Sequence, residues 1–415
     1  MFRRIALAVA GPVVAAVCVA GQSPSIDNFR QDFEFAWRSI DSMYAYFDGK
    51  EINWSRVPEL YAADLSRVQT RDDFVALLEH VLDELYDAHA QLTVNLATSP
   101  RLVPSGTDLW AEWREGQAVI TQVRSDSDAE RGGLKPSDVI VAINGTPIAK
   151  AAESRIGRAS SPHATAVARG WALRAVLAGH HSERRLLEIR ERGVAKTVEL
   201  PARDQYGVAD APLVTQSEIR PGIGYIRLND SLGTIGVVRE FDRALDALSG
   251  TRGLILDLRN TASGGSTPMA RGILGRFVRA ELPYQKHVLV SEERETRIRR
   301  SWLELVSPRA GEIYRKPVAV LVGRWTGSMG EGLAIGFDAA ASATIVGTPM
   351  AGLLGATDSI TLPRTGITMN VPTERLYHVN GTPREAFQPE VLVDVAASST
   401  GDPFISAALR ALGER

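Results

Sequence analysis

Cysteine and lysine are the scarce residues of this sequence. The single cysteine among 415 residues, Cys18, lies in the first apolar stretch, so no disulfide and no thiolate metal site is expected beyond it. The six lysines end at Lys316, so no lysine follows the serine-bearing turn described below. Net charge is -2 and no basic run stands out, which leaves neither a nucleic acid nor an anionic membrane surface as an expected partner. Apart from the catalytic candidates treated below, the histidines His80, His163, His180, His181 and His287 show no metal-ligand spacing, so neither metal nor cofactor is implied. The one long apolar run is at the start, MFRRIALAVAGPVVAAVCVAGQ, where Arg3 and Arg4 precede a stretch too short to span a bilayer. It reads as a signal peptide over residues 1–20, with a periplasmic or secreted mature chain and no stable membrane span as the expectation.

Beyond it the chain falls into segments. Phe29, Phe33, Trp37, Ile40 and Tyr44 recur at helical steps, and Phe74, Leu77, Leu78, Val81, Leu82 and Leu85 form a second stripe after the start signal at Thr70. Residues 25–95 are therefore a helical segment ending in YDAHAQL. Residues 101–203 change character. Strand signals at Ala118–Ile120 and Val139–Ile143 frame a short helix, a Gly132-Gly133 stop, and a hairpin at Asn144-Gly145. Over residues 214–396 strands and helices alternate, with strands at Ile223–Leu228, Leu254–Leu258, Val318–Val322 and Thr344–Val346, the pattern of an α/β layer arrangement. Residues 397–415 form a C-terminal tail or helix.

The apolar run Val318–Val322 is followed by RWTGSMGEGLAIGFD, a strand, turn and helix with Ser328 at the helix start. Ser328 has two readings. In one it caps the helix, with Glu331 completing a capping box. In the other it is a nucleophile in the field of the helix N-terminus, which needs a base elsewhere in the chain.

The string SDAERGGLKPSDVIVAINGTPI resembles a PDZ domain, a module that binds extended peptide ends. The matching carboxylate loop falls near Ser105 to Trp110. Taken with this, the order of helical segment, PDZ-like module, LDLRNTASGGS, strand-TGSMGE-helix and ATIVGT resembles the S41 serine peptidases, which include carboxy-terminal processing proteases and tricorn-like enzymes. The resemblance implies an α/β core of ClpP/crotonase type with an inserted PDZ-like, β-rich domain and N-terminal helices. In the processing branch the base is a lysine, and at that place this chain has Leu353. The tricorn-like branch takes a histidine from an Asp-Gly-His-Thr-like motif, matched here by Asp87-Ala88-His89-Ala90, with Ala88 and Ala90 departing from it. The resemblance makes His89 the base and Glu385, with Glu374 as rival, the third member. The oxyanion site would use the Met329 N–H and that of Gly264 or Gly265.

Peptide or protein substrates follow, with the PDZ-like module presenting or gating them without taking part in the chemistry. A homo-oligomer is among the expectations the resemblance carries. The pocket walls are expected from loops such as Pro268 to Glu281, and Asp257 and Arg259 are expected to be structural. Two other readings stay open. One is an α/β-hydrolase-type esterase using Ser328, Asp358 and His378; the other is a non-catalytic binding protein on the same scaffold.

Overall fold

The computed structural model describes residues 25–160, 165–202, 212–395 and 401–413, so the signal-peptide reading lies outside the described residues. Three helices, Ile26–Met43, Val57–Leu65 and Arg71–Asp83, open the fold. The apolar stripe of the first buries Phe29, Phe33, Ala36 and Ile40, and the third starts at a reciprocal capping box between Thr70 and Asp73. Their shared core also contains Val288, Ile360, Leu362, Met369 and Val371. All but Leu362, which follows its strand, belong to an antiparallel sheet in which Thr368–Tyr377 pairs with Gln91–Leu92, Leu282–Leu289 and Ala356–Thr361, and Arg300–Val306 forms the far edge.

The middle of the chain is a twisted antiparallel sheet ordered Leu109–Arg114, Gln117–Val123, Val139–Ile143, Arg185–Glu191 and Val194–Leu200, with Ala166–Ala178 as its main helix. Buried inside it is an ion pair, Arg185 Nη1 to Asp108 Oδ1 at 2.9 Å.

The last part centres on a six-stranded sheet, ordered Val391–Leu392, Thr344–Gly347, Val318–Val322, Gly253–Asp257, Ile223–Leu228 and Val214–Arg220; only the last pairing is antiparallel. Its central strands Gly253–Asp257 and Val318–Val322 are near-continuous apolar runs because both faces are covered. Alternation sorts them: Leu254, Leu256, Val318 and Val320 face the helices Ile235–Ala247, Thr267–Leu274 and Met329–Ala341, while Ile255, Ala319 and Leu321 face the terminal helix Pro403–Ala411. Arg259 pairs with both Asp257 and Asp402, which ties that helix to the sheet. The segment expected as a loop at Pro268 to Glu281 is instead helical through Leu274, because Ala270, Ile273 and Leu274 present a core stripe. Among the described residues no helix is long and apolar enough to cross a membrane.

Candidate active site

Ser328 stands between the buried strand Val318–Val322 and the helix Met329–Ala341, with φ 50 and ψ -115. A non-glycine residue with positive φ carries a backbone cost of about 1–3 kcal/mol, which surrounding contacts must hold in place. The carboxylate of Glu331 does so by accepting the Ser328 N–H at 2.8 Å, the return half of the expected capping box. The hydroxyl faces elsewhere: Ser328 Oγ lies 3.1 Å from His89 Nε2.

His89 follows the third helix in a turn built around Asp87. One carboxylate oxygen of Asp87 accepts the His89 N–H at 2.9 Å, and the other accepts the Tyr44 hydroxyl at 2.8 Å. Lys50 reaches the same carboxylate at 3.8 Å and donates to the Leu85 carbonyl. On the far side of the ring, His89 Nδ1 is 2.8 Å from the Leu354 carbonyl oxygen. A carbonyl can only accept, so Nδ1 carries the proton and Nε2 turns its lone pair to the serine. Burial, and next the Arg384 charge, hold this imidazole below its ordinary pKa, against the opposing effects of the Leu354 carbonyl and Asp87.

The residues expected to steer His89 sit elsewhere. Glu385 is not hydrogen-bonded to the ring; Leu354 occupies that position. Its carboxyl is raised by burial, with Arg384 and Arg375 opposing and Asp87 adding to the rise, so it lies within electrostatic reach of the Asp87 turn. Glu374 is bonded to His287 Nδ1 at 2.7 Å, and that ring also reaches Glu304 at 3.0 Å. The Ser328, Asp358 and His378 arrangement does not form. His378 Nε2 lies 2.9 Å from Asp338, and Asp358 accepts a hydrogen bond from Thr373.

Gly264 packs directly on the serine. With φ 65, a Cβ there would come within 2.5 Å of Ser328 Cβ and 3.2 Å of the Met329 nitrogen, so only glycine fits. Its N–H donates to Thr261 O at 3.2 Å, while Gly265 lies in a short parallel pairing with Ser231–Leu232. The Met329 N–H is the first of its helix, one of the amides a helix leaves without an internal partner. Ser328 and His89 open on a cleft of ≈ 1200 Å³, also lined by Ser105, Gly106, Arg124, Arg227, Asp230 and Ser263.

The expected carboxylate loop near Ser105 to Trp110 lines this cleft but is not set up as a peptide-end cradle. The Gly106 and Thr107 amides already donate to Leu102 O and Pro104 O. Trp110 packs instead on Ala262 and Trp325. Sequence reasoning missed Tyr44, Lys50, Leu354 and Arg384. Leu354 acts through its backbone, and Arg384 donates to the Leu353 and Gly355 carbonyls beside it, partners that no residue-type pattern registers.

Residues 222–396 match peptidase family S41, residues 27–83 the tricorn protease C1 domain, and residues 103–166 the PDZ domain. No curated protein matches the chain by sequence. Its fold is similar to that of photosystem II D1 C-terminal processing protease, with TM-score 0.55 and 21% identity over 93% of this chain and 97% of that one. Mature CPAF gives 0.60 and 17% over 94% and 96%, and a putative peptidase from Parabacteroides merdae 0.53 and 16% over 94% and 97%. Three successive parts of the chain thus match in the order in which the fold assembles them: a tricorn C1 segment, a PDZ domain and a peptidase family S41 domain, which together make the chain a serine peptidase.

Proposed function

We propose that the chain is an exported endopeptidase that hydrolyses peptide bonds with Ser328 as nucleophile and His89 as base. The observation that carries this is the 3.1 Å approach of Nε2 to Oγ across 239 residues of sequence. It lies within the reach that proton transfer needs. Ser328 Oγ attacks the peptide carbonyl as His89 takes its proton. Negative charge on the carbonyl oxygen is met by the Met329 N–H and by the N–H of Gly265, since that of Gly264 is engaged by Thr261 O. His89 then returns the proton to the leaving amine. Glu385, expected as the third member, takes a more distant part: it balances charge behind the base through Asp87 and Arg384. Export to the periplasm or the medium rests on residues 1–20 alone.

The base must be neutral to act. Since its pKa is lowered, activity should rise with pH through a value below the ordinary ~6.5 and be level at neutrality. That places the acid limb lower than an unperturbed imidazole would. A fluorophosphonate probe should label Ser328 in the wild type and leave Ser328→Ala unmarked, with labelling following the same limb. A folded wild-type chain that takes up no label would make it a binding protein on this scaffold.

A further inference from the structure

We propose that Arg384 is a positioning residue for the base: its guanidinium grips the carbonyls on either side of Leu354 and thereby fixes where the Leu354 carbonyl meets the His89 ring. The inference rests on the reading of Ser328 and His89 just given.

Arg384 is 3% exposed, and its Nη2 donates to Leu353 O at 3.0 Å and to Gly355 O at 2.8 Å. Between those two carbonyls is the one that takes the His89 Nδ1–H. The same segment is held from its amide side by Glu331, which accepts Gly352 N at 2.9 Å and Leu353 N at 3.3 Å. Glu331 also accepts the Ser328 N–H, and its carboxylate lies 4.0 Å from Arg384. A buried cation therefore holds the carbonyls of residues 353 and 355, while the buried Glu331 carboxyl holds the amides of 352 and 353. The serine N–H hangs on that carboxyl and the histidine on the middle carbonyl. One four-residue segment thus sets the nucleophile-to-base separation through its backbone. Gly355, at φ 56, lets the segment turn against the Glu374 carbonyl, where a Cβ would collide.

Arg384 has a second, electrostatic effect that separates positioning from bulk support. The charged groups acting on His89 are Asp87 on its own turn, itself engaged by Tyr44 and Lys50, and Arg384 from the turn Arg384–Ala386; Glu331 from the serine helix and Glu385 act in turn on Arg384. Burial pushes the Glu331 carboxyl up to about 7, against Arg384 and its three amide donors. Arg384 is the cation that disfavours the imidazolium. Removing it should loosen the base and make it easier to protonate, two changes with different readouts.

The test uses the full chain with Arg384→Ala and Arg384→Lys, measuring kcat, KM and the pH profile on a short peptide. The His89 ring titration, followed by NMR, gives a readout that does not need turnover. For Arg384→Ala, kcat should fall on the order of 10²-fold while KM changes by no more than about twofold, as expected when a base is misplaced rather than a substrate lost. Its acid limb and the NMR titration should both move to higher pH. Arg384→Lys should restore the titration to its wild-type position but leave kcat below wild type, because an ammonium lacks the planar fork. Wild-type kcat in Arg384→Ala, or a fall in kcat with the His89 titration unmoved, would overturn the inference. If Arg384→Ala does not fold, Arg384→Lys decides: reduced kcat with an unmoved titration supports it, and unchanged kcat overturns it. If the wild type hydrolyses nothing, the catalytic reading fails, and the NMR titrations still judge the place of Arg384.

Discussion

His89→Ala should lower kcat/KM on a short peptide by at least about 10³-fold, the scale on which loss of a base acts in serine hydrolases. The size follows from the geometry. Among the described residues Nε2 is the nitrogen placed on the Ser328 hydroxyl, and the Leu354 carbonyl fixes the tautomer that makes it a proton acceptor. No lysine follows Lys316, and Leu353 is buried at the place where a lysine base would stand, so the chain has no substitute. His378→Ala is the control. That histidine sits against Asp338, and its loss should leave turnover within about twofold of wild type. Equal losses in both variants would point to damaged folding, and undiminished turnover in His89→Ala would place the base elsewhere.

Removing the PDZ domain should abolish hydrolysis of even the shortest peptides. The sequence led to the opposite expectation, a module that handles substrate and leaves the chemistry intact. Its first strand, however, is built into the catalytic loops. Trp110 forms a cluster with Trp325, three residues before the nucleophile, and with Ala262, two before Gly264. Glu112 holds Arg324 at 2.6 Å, and Arg324 in turn donates to the Met350 carbonyl. The Trp325 indole donates to Thr107 O at 2.9 Å, Gln122 donates to Thr348 at 2.6 Å, and Arg124 donates to Asn260 at 2.9 Å. These contacts brace the serine turn and the glycine loop from outside the α/β core. A misplacement of about 1 Å at a reacting group can cost 10²-fold in rate. Trp110→Ala, which opens a hole in this brace, should therefore lower kcat on the order of 10²-fold with KM little changed. A folded deletion variant that kept short-peptide turnover would show that the brace is dispensable and that the module acts on substrate alone.

How far the sequence could be read depended on how local each feature is. Ser328 was legible because strand, turn and helix lie within a couple of dozen residues, and an apolar run followed by glycines marks them. His89 was legible only through the order of segments along the chain, since a histidine after a helix has no pattern of its own. The steering role expected of Glu385 or Glu374 went astray for a physical reason. The atom that holds the ring is a backbone carbonyl, and every residue has one. The antiparallel sheet that seats the N-terminal helices was equally hidden. Its strands Leu282–Leu289 and Arg300–Val306 mix charged and apolar residues, because one is an edge and the other carries Gln285 and His287 toward Glu304 and Glu374. The role of Trp110 was lost in the same way: a tryptophan opening a β-strand reads as that module's own core, and nothing nearby in sequence names Trp325 as its partner.

The most direct test of the whole account is digestion of a peptide library by the mature chain, wild type against Ser328→Ala, with the new termini read by mass spectrometry. The wild type should release fragments with new amino termini. Ser328→Ala, folded to the same extent, should release none above background. If Ser328→Ala cuts the library as the wild type does, Ser328 is a helix cap and the peptidase chemistry assigned to it is wrong.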